Sequence, residues 1–311
     1  MSSVAIYGDG QLGNSVAGLL RRRGGYEVRG PFGRDEVDAA LDGGADVVVI
    51  ATTTLLRDVA ADIRRAVEHG SNVLVSAEEA ANPFLADATI AADLHECAMD
   101  RGVSIAGAGV NPGLIFDGLV VTLLGAAPED VTISVSRTVD ISGFGDTVRR
   151  RIGVGVTLAQ FTDDVESGAV LGHAGFPQSM SLVADAIGLT IDRIERSLEP
   201  VMDGDLTAGV NQVYVAVVDG RPWFTASFYG HVDLPSIGRN PSDDIEFYRG
   251  ADLVQAFSVR PGFNAQVGSA NMVANSVDRI IAARPGWRTI VDLPPAAPVH
   301  GRASSGATRL A

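Results

Sequence analysis

Short apolar runs recur through the first third of the chain: SVAIYG at 3–8, YEVRG at 26–30, ADVVVIATTT at 45–54, SNVLVSA at 71–77 and VSIAGAGV at 103–110. Each has the length and composition of a strand. Between them, NSVAGLLRRRGG, RDEVDAALDGG, LLRDVAADIRRAVEHG and ATIAADLHECAMDRG place apolar residues three and four apart, which predicts helices. Strands alternating with helices imply a doubly wound parallel sheet, because every parallel crossover needs a covering helix. A further apolar stretch, PGLIFDGLVVTLLG at 112–125, predicts a helix opened by Pro112.

Beyond it the rhythm changes. Residues 131–139, 210–218, 222–232 and 252–260 alternate apolar with polar, as half-exposed strands do, and Asp219–Gly220 is a tight-turn signal between two of them. Helical stretches are predicted at 157–168 and 176–188, and a closing helix from Ser269 is expected to return to the first sheet. The fold class is therefore α/β, a first domain over 1–128 joined by 268–311, with an inserted α+β domain over 129–267 whose sheet is mainly antiparallel. The polar tail GRASSGATRLA is expected to be mobile.

The first turn adds chemistry to this outline. Gly8-Asp9-Gly10-Gln11-Leu12-Gly13 stands between the first strand and the first helix, the order of a Rossmann dinucleotide-binding unit. Gly8 permits the turn, Gly10 lets the backbone approach a pyrophosphate, and Gly13 allows close packing of the helix, with Gln11 and Leu12 in the same cradle. An NAD site usually shows an acid at the end of the second strand; here that strand runs into VRGPFGRDE, where the first side chains available are Arg29, Arg34 and Asp35. Arg34, after a glycine, either pairs with a 2′-phosphate, the reading that favours NADP over NAD, or stands on a solvated turn. Thr52 and Thr53, with Thr54, close the third strand and either line the cofactor cleft or cap the next helix. Asn111 precedes Pro112, so its backbone is extended and its amide is available to a ligand.

Composition narrows the chemistry. The 311 residues carry a net charge of −14, which disfavours nucleic acid as a partner. All 24 basic residues are arginine, so lysine Schiff bases and lysine general acids are excluded. The single cysteine, Cys97, reads as a buried thiol. His69, His95, His231 and His300 receive no role, no two histidines have metal-ligand spacing, and no metal is expected. The first strand begins too early for a signal peptide and no apolar run is long enough to span a membrane, so the expected location is the cytoplasm.

Glu78 and Glu79 follow the fourth strand at the carboxyl edge of the sheet, where ligands bind in such folds. Around them the segments GAGVNPGLIFDGL, VDISGFGDTVRRRIGVG, GHAGFPQSMSLVADAIG and ANMVANSVDRIIAARPGWRTIVDLP resemble the 2,4-diaminopentanoate dehydrogenases and native amine dehydrogenases, within the broader dihydrodipicolinate-reductase-like group. The resemblance runs over nearly the whole chain. It implies a homodimer that uses NAD or NADP to interconvert a small amine with its ketone or aldehyde plus ammonia, with a glutamate as acid and base. The second domain is then the substrate-binding and dimerisation domain.

A Glu-Glu segment of the family matches SAEEA, leaving open whether Glu78 or Glu79 reacts. The role requires a carboxylate titrating near working pH, which partial burial would provide. His173 and Gln178 are candidate substrate contacts, with Phe144, Phe176 and Met180 as apolar walls. The segment ISGFGDTV departs from the charged, lysine-containing stretch usual in the family, and so leaves the substrate open. An imine or carbonyl reductase on the same fold and a non-catalytic NADP-binding sensor are the alternatives.

Overall fold

A computed structural model describes residues 1–298; His300 and the tail from Gly301 onward lie outside the described residues. The N-terminal part supplies five parallel strands, β1 (Ser2–Tyr7), β2 (Tyr26–Phe32), β3 (Val47–Ile50), β4 (Asn72–Val75) and β5 (Ser104–Gly107). Helices α1 (Gln11–Arg23), α2 (Val37–Leu41), α3 (Leu56–Glu68), α4 (Pro83–Ala86) and α5 (Ala88–Arg101) connect them. The centre of this sheet is apolar on both faces: Val47, Val48, Val49 and Ile50 are all buried. That is why this stretch reads as an unbroken run rather than an alternating one.

The predicted helix at 112–125 is shorter than its apolar content suggests. Residues 111–117 form turns, and α6 covers only Gly118–Leu124. Pro112 follows a cis peptide bond and opens no helix. Asp117 accounts for the difference: its carboxylate accepts from Gly118 N at 2.6 Å as the cap of α6, and from Gly113 N at 2.8 Å to hold the preceding turn.

The second domain comprises α7 (Asp146–Ile152), α8 (Leu158–Glu166), α9 (Phe176–Ala186) and a six-stranded sheet. Its strands are β6 (Thr132–Asp140), β7 (Arg193–Asp203), β8 (Leu206–Val218), β9 (Arg221–His231), β10 (Ser242–Arg249) and β11 (Asp252–Val259), in the order β11-β10-β6-β9-β8-β7. All neighbours are antiparallel except β6 and β9. Two strands escape the pattern reading. β7 is an edge strand rich in exposed charge, and β10 begins with Ser242, Asp243 and Asp244. One face of the sheet packs against α6 and α9 around Phe116, Phe176, Phe224 and Phe247.

From β11 the chain crosses back to the first sheet. A buried ion pair steers it: Arg137 Nε lies 3.4 Å from Asp243, Arg137 Nη2 donates to Phe263 O at 2.6 Å, and Phe263 N donates to Asp243 at 2.6 Å. Helix α10 (Ala265–Ile281) then packs along α1. After it, β12 (Gly286–Arg288) adds a sixth parallel strand beside β5, within a segment where only the closing helix was anticipated. Trp287 of β12 is buried and its indole N–H donates to Ala80 O at 3.3 Å, sealing the loop that carries the glutamate pair. Among the described residues no helix is long and apolar enough to cross a membrane.

Candidate active site

Two groups of residues meet at the carboxyl edge of the parallel sheet. The first is the glycine turn. Gly8 has φ 121°, and a Cβ there would lie 2.4 Å from Ala51 O; a Cβ on Gly13 would lie 1.9 Å from Gly8 O. Neither position accepts a side chain without moving backbone. Gly10, by contrast, faces open space, with nothing within 4 Å of where its Cβ would stand. It caps α1 without a side-chain acceptor, and the first turn holds no acidic residue. The amides at this helix start are thus free to bind an anion. The cradle fits a dinucleotide pyrophosphate.

Gln11 leaves the turn on the outer side, donating to Gln266 Oε1 at 2.7 Å, while Gln266 Nε2 donates to Gly143 O at 2.9 Å. Leu12 packs inward against the core beneath α1 and α10. Arg34 is exposed on a short 3-10 turn after β2. Thr52 and Thr53 are half-buried in the loop after β3. The threonines do not cap α3: its first amide, Leu56 N, donates to Glu79 Oε2 at 2.7 Å. Both side-chain polar atoms of Asn111 are buried and lack hydrogen-bond partners among the described residues, a costly arrangement unless a ligand completes it.

The second group surrounds Glu78. Glu78 and Glu79 share one 3-10 turn, Glu78–Ala81, yet point to different neighbours. Glu79 turns back toward α3 as its cap. Glu78 crosses to the second domain, where Oε1 accepts from Arg151 Nη2 at 2.8 Å and Oε2 accepts from Ala174 N at 2.8 Å and Gly175 N at 3.0 Å. His173 Nδ1 stands 3.0 Å from Oε2 but off the line of a hydrogen bond, so the contact is electrostatic. A Cβ on Gly175 would lie 2.3 Å from Pro112 Cγ and 3.3 Å from Glu78 Cβ. Only glycine lets the three segments approach this closely.

Burial opposes ionisation of Glu78, but His173, Arg151 and the Ala174 amide outweigh it and hold the carboxyl at about 2. The expected upward shift is thereby reversed. Burial alone would have raised the value; Arg151 and His173, both from the other domain, overcome it. Arg151 is itself fixed, with its other Nη donating to Thr54 Oγ1 and its carbonyl accepting from Leu171 N and Gly172 N at 3.0 and 3.2 Å.

Around this cluster the other expected residues divide. His173 is framed by Phe176 and Phe228, with ring centroids 5.1 and 5.7 Å away, and its backbone is clasped by Gln212, which accepts from His173 N at 2.8 Å and donates to His173 O at 3.1 Å. Phe176 and Met180 are not cleft walls: both are wholly buried, and Phe176 stacks edge-on with Phe116 as the floor beneath His173. Gln178 is buried on α9 with an unpartnered Oε1. Phe144 is half-buried in the loop before α7, next to the Gly143 carbonyl that binds Gln266.

Sequence reasoning passed over Arg151 and Asp117. Arg151 is one of three consecutive arginines, and only the helical phase of α7 turns it inward. Asp117 is wholly buried, accepting from Ser179 Oγ at 2.8 Å as well as from its two amides, and burial pushes its carboxyl upward against those donors. It ties the turn bearing Asn111 and Pro112 to α9.

Comparison with known proteins places the chain. Residues 114–308 match the model of the 2,4-diaminopentanoate dehydrogenase C-terminal domain. The 2,4-diaminopentanoate dehydrogenase of Acetoanaerobium sticklandii is 30% identical over 329 aligned positions, covering 94% of this chain and 93% of that protein. Among solved structures, an amine dehydrogenase from Mycobacterium smegmatis superposes with a TM-score of 0.83 at 20% identity, covering 96% of this chain and 97% of that one. GenD2 from gentamicin A biosynthesis, solved with NAD, gives 0.58 at 16% identity over 94% and 89%. These two likenesses concern the fold. Taken with the family match and the full-length relative, they close the question of membership: the chain belongs to the 2,4-diaminopentanoate dehydrogenase family of nicotinamide-dependent oxidoreductases.

Proposed function

We propose that the protein is an amine dehydrogenase, interconverting a small amine with its ketone or aldehyde plus ammonia, and that Glu78 rather than Glu79 is the reactive carboxylate. The observation that carries this reading is the convergence on Glu78 of Arg151, His173 and two backbone amides from the opposite domain. A nicotinamide bound beyond the glycine turn would supply or accept the hydride. The remaining work falls to this chain. Glu78, ionised at neutral pH, attracts an ammonium or iminium cation. His173, 3.0 Å from it, is the adjacent group able to take up and return a proton. Arg151 balances the carboxylate while no amine is present. The unpartnered amide of Asn111 orients whatever group is brought to the turn before Pro112. Glu79, committed to the first amide of α3, holds the loop.

Supplied with ammonia, a panel of small ketones and aldehydes, and reduced dinucleotide, the protein is expected to consume the dinucleotide only when ammonia is present. Glu78→Gln should lower kcat/KM by about 10²–10³-fold, the range for losing a preorganised charge that stabilises the reacting cation, whereas Glu79→Gln retains most activity. Ammonia-independent turnover would replace this reading with a carbonyl or imine reductase. Full activity of Glu78→Gln would remove Glu78 from the chemistry.

A further inference from the structure

In Rossmann domains that bind NAD, the acid that reads the adenosine ribose stands at the end of the second strand, roughly 20 residues beyond the glycine motif. Here β2 ends at Phe32 and the next residue is Gly33, which has no side chain to offer. The space is nevertheless occupied by a carboxylate. Asp9, the middle residue of Gly8-Asp9-Gly10, lays its Oδ2 3.2 Å and its Cγ 3.7 Å from the point where a Cβ on residue 33 would stand.

The two loops are fastened together, since Gly8 N donates to Phe32 O at 3.0 Å. Glu36 brings a second carboxylate to the same place: its Oε2 accepts from Gly33 N at 3.1 Å and lies 3.9 Å from the same Cβ position. Glu36 is thus committed to the backbone. Asp9 is not; it is exposed, and among the described residues nothing donates to its side chain. A free carboxylate therefore faces the place where the ribose of a bound dinucleotide lies.

We propose that Asp9, delivered from the glycine turn, replaces the missing strand-end acid, accepts the ribose hydroxyls of NAD and excludes the 2′-phosphate of NADP. This inference rests on the dinucleotide reading of the glycine turn. It reverses the preference for NADP drawn from Arg34. A 2′-phosphate would bring negative charge against Asp9 and Glu36 together, and one exposed arginine, Arg34, offsets that poorly. The hydroxyls of NAD, by contrast, would find an acceptor with both lone-pair sites open.

Calorimetric titration of the whole protein with NADH and with NADPH tests this independently of turnover. Wild type is expected to bind NADH tighter than NADPH by about tenfold or more, as for a hydrogen bond to a charged group. Asp9→Ser should weaken NADH binding and narrow or invert the ratio. The double variant Asp9→Ala/Gly33→Asp, which returns the acid to its customary place on an extended backbone, should restore the NADH preference. Equal affinity of wild type for the two dinucleotides, or an unchanged ratio in Asp9→Ser, overturns the role of Asp9. If neither dinucleotide binds, the reading of the glycine turn falls with it.

Discussion

The glycine turn and the Glu78 cluster lie at the same edge of one sheet and are built on opposite principles. The turn is a vacancy kept open by backbone: Gly8 and Gly13 touch carbonyls and Gly10 touches nothing. The cluster is crowded and charged, and every partner of Glu78 comes from the other domain, 73 to 97 residues away in sequence. A binding surface for a large anion needs only unpaired amides and space. A carboxylate meant to act on one small cation must be desolvated and then balanced, and that takes residues from more than one segment. The difference explains why the first region tolerates no added atoms at Gly8 and Gly13, and why the second depends on charge.

Acid sharpens the contrast most. In the unfolded chain Glu78 takes up a proton near its ordinary 4.5, while the native carboxyl stays ionised to about 2. The depressed value therefore stabilises the fold above pH 4.5, and the benefit is lost as pH falls toward 2. The loss amounts to about 3 kcal/mol at most. Urea unfolding of wild type and Glu78→Gln between pH 7 and pH 2 should show a steeper acid limb in wild type. Parallel limbs would mean that the cluster does not hold the carboxyl down.

Steric variants break the comparison from the other side. Gly13→Ala forces a methyl into Gly8 O and should cost about 1–3 kcal/mol of stability, read from the urea midpoint. Gly10→Ala has room and should leave stability within about 0.5 kcal/mol while weakening dinucleotide binding in a titration. A stable Gly13→Ala that binds as wild type does would refute the idea of a backbone-limited cradle.

The smallest effect belongs to the neighbouring carboxylate. Glu79→Ala removes the acceptor for Leu56 N and should cost about 1 kcal/mol, the usual worth of a helix cap, without moving the acid limb. A change in that limb equal to the one in Glu78→Gln would erase the distinction between the two residues.

How much of this was legible depends on how far apart the cooperating residues lie in the chain. Gly8 through Gly13 are consecutive, and their order between strand and helix reports their use directly. The buried parallel strands are equally visible because both faces are apolar. β7 escaped because an edge strand with one face open carries charge, and β10 because acidic residues occupy its start. The false helix start at Pro112 came from weighing apolar content without Asp117, whose carboxylate delays α6 to Gly118. Glu78 and Glu79 cannot be told apart by composition. Only the turn they share sends one to α3 and the other to Arg151, and no local pattern singles out Arg151 among three arginines.

The order in which the chain is made has a bearing on the site. Trp287, in the last strand of the parallel sheet, donates to Ala80 O at the end of the turn that begins with Glu78. A polypeptide emerging from the ribosome exposes its N-terminal elements first. The backbone contacts of the glycine turn come from no further along the chain than Phe32 and Ala51, but the loop bearing Glu78 stays unsealed until residue 287 emerges. Synthesis thus delivers every backbone contact of the glycine turn early and the seal of the Glu78 loop late, so that a chain stalled before residue 287 has the first without the second.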